Sequence, residues 1–158
     1  MATEITDEFQ QVLDLLSMAT PPVVFVTGSA GTGKSTLIDV LRSELDKNLV
    51  VVAPTGVAAL NVQGQTIHSL FQLPPGPQPR AKRIAGAAKD VVEKMDVLVI
   101  DEVSMVRADL LDAIDDSLRL NTGRDGVPFG GKTLVLVGDM HQLPPVIAGS
   151  EEKRLFEE

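Results

Sequence analysis

The chain has 158 residues, a net charge of −8 and 44% hydrophobic residues, which describes one globular domain able to bury about two-thirds of its unfolded surface. That charge argues against coating nucleic acid by bulk electrostatics, though not against a local strand-binding groove, and with five Phe, no Tyr and no Trp there are few platforms for base stacking. No apolar run approaches the ~20 residues of a membrane span, and the lack of cysteine excludes disulfides and thiolate metal sites and fits a reducing cytosol.

Residues 1–20 read as an amphipathic helix, with Thr6 as N-cap, Asp7 and Glu8 in the first turn, and Phe9, Val12, Leu13 and Leu16 on one stripe. The opening MATEITDEFQ is acidic where a signal peptide is basic and then apolar, so a cytoplasmic protein is expected. Pro21-Pro22 ends the helix and launches the apolar run Val23-Val24-Phe25-Val26.

Next comes GSAGTGKST, from Gly28 to Thr36, with Gly28, Gly33, Lys34 and Ser35 in the fixed places of G-x-x-x-x-G-K-[ST]. A strand precedes it, and a helix with Leu37, Leu41 and Leu45 on one face follows over about 34–47, which is the setting this motif requires. Gly28, Ser29, Ala30, Gly31, Thr32, Gly33, Lys34, Ser35 and Thr36 are thus expected to wrap backbone N–H groups around the phosphates of ATP. Lys34 reaches the β- and γ-phosphates and the Ser35 hydroxyl ligates Mg²⁺.

Leu49 to Ala53 is an uninterrupted apolar strand closed by Pro54. TGVAALNVQGQTIHSLF (55–71) opens at a cap-like Thr55 and contains a short helix, and LPPGPQP (73–79) is a proline-rich loop. Residues 80–95 read as a helix with Ile84, Ala88, Val91 and Met95 inward and the basic cluster Arg80, Lys82, Arg83 at its start. Val97 to Ile100 is the third strand, and Asp101-Glu102 at its carboxyl end lies where parallel sheets bind ligands. Beside a phosphate loop, Asp101 is the Mg²⁺ carboxylate and Glu102 the base that polarises the attacking water. A helix over 103–120 leads through turns to the strand Thr133–Val137 and then to GDMHQLPPV (138–146). There Gln142 can point at the nucleotide, its neutral amide suiting a γ-phosphate sensor. The expected fold is α/β, a phosphate-loop domain with a parallel sheet flanked by helices on both faces, filling residues 1–158.

GSAGTGKST, APTGVAALNVQGQTIHSLF, VLVIDEVSM and LVLVGDMHQLPPV together resemble the first motor domain of the Pif-family (petite integration frequency) DNA helicases, relatives of RecD that move 5′→3′ on single strands. The resemblance runs from about residue 5 to 147 and implies an ATP-hydrolysing helicase motor domain with single-stranded DNA as partner. By the same resemblance Gln10 is the candidate adenine-reading residue, with Gln11 possible, and Thr55, Gly56, Thr66 and His68 are candidates for contacting the DNA backbone. Gln142 becomes the residue linking nucleotide state to the strand. In the family an aromatic often stands within GDxxQLPP, where this chain has Met140 and His141. The resemblance also implies a second RecA-like domain, supplying an arginine to the transferring phosphate and expected outside these 158 residues, so that this polypeptide alone binds Mg-ATP but turns it over weakly. The alternatives are a stand-alone nucleotide-dependent binding or regulatory module and a small-molecule phosphotransferase, against which the Asp101-Glu102 pair and the missing arginine-rich lid both speak.

Overall fold

The structure, a computed structural model, describes residues 5–18, 23–146 and 149–150. The expected helix stop at Pro21-Pro22 and the closing EEKRLFEE lie outside the described residues. Helix α1 (Asp7–Ser17) starts as its sequence requires, with the Thr6 hydroxyl accepting from the Phe9 N–H at 3.3 Å, and buries Leu13 and Leu16. Then come β1 (Val23–Thr27), α2 (Lys34–Glu44), β2 (Leu49–Ala53), α3 (Gly56–Asn61), β3 (Gln65–Thr66) and α4 (Ile67–Phe71). The described chain continues through α5 (Ala87–Lys94), β4 (Val97–Ile100), α6 (Ala108–Thr122) and β5 (Thr133–Gly138).

The strands form one five-stranded sheet in the order β1-β5-β4-β2-β3, every pair parallel. Two apolar cores sandwich it, as the continuous apolar runs of β2, β4 and β5 demand. On one face Val51, Val99, Val135 and Val137 meet α1 and α2 through Leu16, Leu37, Ile38 and Leu41. On the other, Leu98, Ile100 and Leu134 meet α4, α5 and α6 through Leu70, Phe71, Val92, Ile114 and Leu118. The helices on both faces are as expected; the order of the strands comes from the structure. β5, the last of the described strands, inserts between β1 and β4, so that among the described residues β1 is an outer edge with Val23 and Phe25 exposed on it.

Three expectations need correction. The helix proposed for 80–95 is confined to Ala87–Lys94. Side chains hold the stretch before it in irregular form: Asn121 Oδ1 accepts from the Ile84 N–H at 2.8 Å, and the Gln72 amide donates to the Ala85 carbonyl at 2.9 Å. The inward residues are therefore Ile84, Val92 and Met95, while Val91 is only half-buried. The helix proposed for 103–120 is a 3-10 turn (Val103–Met105) followed by α6, broken at the extended Arg107. Finally, 65–66 is a short fifth strand, pairing Gln65 and Thr66 with Val52 and Ala53.

Gly64 lets that fifth strand come in. A Cβ there would lie 2.5 Å from the Val51 carbonyl oxygen, which β2 cannot move without losing its place in the sheet. Gly64→Ala is expected to cost about 3 kcal/mol and lower the melting temperature by roughly 6–12 °C. Thermal unfolding followed by circular dichroism checks it, and an unchanged midpoint would refute the close approach.

Candidate functional site

Apart from Gln10 and Gln11 on α1, the residues singled out for chemistry lie at the carboxyl ends of the strands. The phosphate loop leaves the tip of β1 and closes at Gly33, whose φ of 90° is comfortable only for glycine and lets α2 begin at Lys34. The first N–H groups of α2, at Lys34, Ser35 and Thr36, have no partner within the helix and are available to an anion. Lys34 Nζ donates to the carbonyls of Gly28 at 2.6 Å and Ser29 at 2.8 Å. Two of its three hydrogens thus hold the lysine over the loop and leave one to donate. Thr32 adds a tie of its own, its hydroxyl donating to the Ser29 carbonyl at 2.8 Å.

Asp101 and Glu102 follow β4, two strands from the phosphate loop. With neighbouring strands ~4.8 Å apart, the acids stand on the order of 10 Å from the β1 axis, a span a hydrated cation and phosphates can fill. Asp101 is almost fully buried, with its backbone N–H on the Val52 carbonyl. Burial pushes its carboxyl above the usual range, opposed by a hydrogen bond from the Glu102 backbone and by the Lys34 charge. A bound cation would pull it down again. Glu102 sits at φ 52°, ψ 43°, the left-handed region that a glutamate occupies only at a cost.

From the tip of β5, between these two, the chain turns through Asp139. Its buried carboxylate accepts from the His141 N–H at 2.9 Å, and its carbonyl accepts from the Gln142 N–H at 3.1 Å. This Asx-type turn swings the exposed Gln142 outward from the sheet. Gly138 lies so close to the turn after Glu102 that a Cβ on it would be 2.9 Å from Val103 Cγ1. The Ser104 hydroxyl oxygen of that turn is buried without a hydrogen-bond partner.

Among the described residues no group of three His, Cys, Asp or Glu side chains could hold a metal. The oxygens of Ser35 and Asp101 are hard donors of the kind Mg²⁺ accepts, and Mg²⁺ is commonly held by one or two carboxylates with phosphates and water completing its shell.

The sequence matches the family described as PIF1-like helicase over residues 1–157. The chain belongs to the PIF1-like helicase family. It is 42% identical over 148 residues to the ATP-dependent DNA helicase PIF1 of Emericella nidulans, covering 84% of this chain and 19% of that relative. Two solved structures of Bacteroides Pif1, one bound to single-stranded DNA and one in complex with ADP-AlF4, each superpose with a TM-score of 0.87 at 42% identity, covering 98% of this chain and 36% of theirs. The chain spans about a fifth of the length of the curated relatives it matches.

Within this PIF1-like domain the four candidates for DNA contact sit beyond β2 and β3. Thr55 and Thr66 cap α3 and α4, their hydroxyls accepting from the N–H groups of Ala58 and Ser69 at 3.2 Å each. Each hydroxyl keeps a hydrogen to donate. Gly56 is exposed, with open space where a side chain would be. His68 is half-buried, and burial, followed by the nearby Arg107 charge, pushes its imidazole below its usual range, so it is neutral near pH 7. Thr55 and His68 line a hollow of about 260 Å³ with Gly76, Arg107, Pro145 and Val146. Two of the four DNA candidates, Thr55 and His68, therefore share one hollow with the end of the Gln142 loop, while Gly56 and Thr66 lie outside its lining.

Arg107 was not singled out by the sequence. It donates to the Gly76 carbonyl at 2.7 Å and pairs with Asp109 at 3.0 Å, and the other Asp109 oxygen accepts from the Gln78 N–H at 2.7 Å. Together they fasten the proline-rich loop to the start of α6. The pattern offered no signal beyond an Arg-x-Asp at a helix start. Gln10, by contrast, is turned outward, its amide donating to Asp14 Oδ1 at 2.8 Å, and Gln11 is exposed.

Proposed function

We propose that this domain is the first motor domain of a 5′→3′ DNA helicase. It binds Mg-ATP on the phosphate loop and couples hydrolysis to movement on single-stranded DNA. The observation that carries the reading is the insertion of β5 between β1 and β4, which sets the Gln142 loop between the phosphate loop and the Asp101-Glu102 pair. Lys34 and the α2 N-terminus take the phosphates, Ser35 and Asp101 hold Mg²⁺, Glu102 orients the attacking water, and Gln142 senses the γ-phosphate. A PIF1-like relative is solved with ADP-AlF4 and with single-stranded DNA, which supports both ligands for this chain. Turnover by these 158 residues alone is expected to be weak, since an arginine donated from a second motor domain is worth about 10³–10⁵ in rate.

The test is binding of a fluorescent single strand, followed by anisotropy across a salt series. A neutral His68 contributes one hydrogen bond to a phosphate and no charge, so His68→Ala should weaken binding roughly tenfold while leaving the salt slope unchanged. If the parent binds no single strand at low salt, or if His68→Ala binds as well as the parent, the DNA reading fails.

A further inference from the structure

A hollow of about 370 Å³ separates α1 from the phosphate loop, lined on the loop side by Thr27, Gly28, Thr32 and Lys34 and on the helix side by Thr6, Glu8, Phe9 and Val12. The Phe9 ring reaches the loop: a Cβ on Gly33 would lie 3.4 Å from its Cζ. The direction of a bound nucleotide follows from the sheet. With its γ-phosphate end toward the acids beyond β5, as the proposed roles require, its nucleoside end would leave on the β1 side of the phosphate loop, where this hollow lies.

The helix wall offers this nucleoside little to hydrogen-bond. At 100° per residue, Gln10 and Gln11 are turned about 100° and 200° away from Phe9, and neither lines the hollow. The polar atoms that do are already engaged in starting the helix. Thr6 Oγ1 accepts from the Phe9 N–H at 3.3 Å, and the backbone N–H of Glu8 together with the Thr6 hydroxyl holds the Glu8 carboxyl below the usual range. Beside them the helix wall presents the aromatic ring of Phe9 and the methyl groups of Val12 to the hollow.

We propose, building on the reading that the phosphate loop holds a nucleoside triphosphate, that Phe9 is the base-contacting residue. It holds the purine through its ring face in place of an amide's hydrogen bonds, and the domain therefore discriminates weakly between adenine and guanine. Every base has a π-face, so an aromatic platform tolerates exchange of base, whereas a site built to hydrogen-bond one base rejects another by orders of magnitude.

The experiment is titration of the 158-residue chain with Mg-ATP, Mg-GTP and Mg-tripolyphosphate by calorimetry. ATP and GTP should bind within about threefold of each other, since the ring face is common to both. Phe9→Ala should weaken both nucleotides by roughly 5- to 100-fold and leave tripolyphosphate unchanged. Phe9→Leu, which keeps the apolar packing if the alanine variant fails to fold, should weaken both by a smaller factor, and Gln10→Ala should change nothing. A parent preference for ATP above tenfold, a loss of affinity in Gln10→Ala or Gln11→Ala, or a parent-like Phe9→Leu overturns the proposal while tripolyphosphate binding keeps the phosphate loop intact. Failure of all three ligands to bind overturns the phosphate-loop reading, and this proposal with it.

Discussion

Lys34→Ala is expected to weaken Mg-ATP binding by about 10²–10⁴-fold, to the edge of detection by calorimetry. Hydrogen bonds from a charged donor contribute about 1.5–3 kcal/mol each, and in the proposed role the lysine turns from a loop carbonyl to reach both the β- and γ-phosphates. It also braces the loop through the Gly28 and Ser29 carbonyls, so alanine removes both the charge and the brace. The fold should hardly notice, because the side chain is only half-buried at the first position of α2 and neither apolar core includes it. A melting midpoint near that of the parent, together with lost binding, is the expected pair of results. Parent-like affinity would show that the phosphates sit elsewhere and would remove the basis for every role assigned around the loop.

Glu102→Gln should leave nucleotide binding intact and reduce phosphate release by about 10²–10⁴-fold, the range for loss of a positioned general base. Because the parent itself is expected to be slow, the comparison is made under single-turnover conditions over hours, with and without a single strand. Unchanged hydrolysis in the variant would assign the base elsewhere. No hydrolysis in either protein, with binding of a partner retained in both, would favour a regulatory binding module. The backbone at this position gives a second readout. Glu102 occupies the left-handed region at a cost of about 1–2 kcal/mol that glycine does not incur. Glu102→Gly is therefore expected to be inactive and yet about 1 kcal/mol more stable, melting roughly 2–4 °C higher. A glutamate kept in a strained conformation where glycine would be easier is what a functional demand on its carboxylate predicts.

The candidate residues of the nucleotide site could be picked out in the sequence because each depends on local chemistry. Gly33, Lys34 and Ser35 form a contiguous motif, and the acids follow directly on an apolar strand. The same held for Thr6 and Thr55, each of which caps a helix, whereas the cap that Thr66 forms on α4 came from the structure. What escaped was set by partners distant in sequence. Two residues, Gln65 and Thr66, are too few to show an alternation, and their pairing with β2 depends on the absent side chain of Gly64. Residues 80–86 have helical composition but are held irregular by Gln72 and Asn121, 13 and 37 positions away from the groups they bond. Strand order was equally hidden, since nothing in Thr133–Gly138 says that it lies against Val23–Thr27. Gln10 shows the limit from the other side: the family resemblance suggested a reader of adenine, while in this structure its amide donates to Asp14.

The outer edge of β1 has a consequence for how this polypeptide behaves at high concentration. Among the described residues nothing pairs with that edge, and Val23 and Phe25 are 42% and 48% exposed along it. An open row of N–H and C=O groups beside apolar side chains is a template for another strand, and two copies meeting there would propagate the sheet from one molecule to the next. Mutual repulsion from a net charge of −8 opposes that encounter. Added salt screens the repulsion and, when its anion is strongly hydrated, strengthens apolar association as well. Sulfate buffers chosen to protect the fold would thus be the ones that drive this domain out of solution.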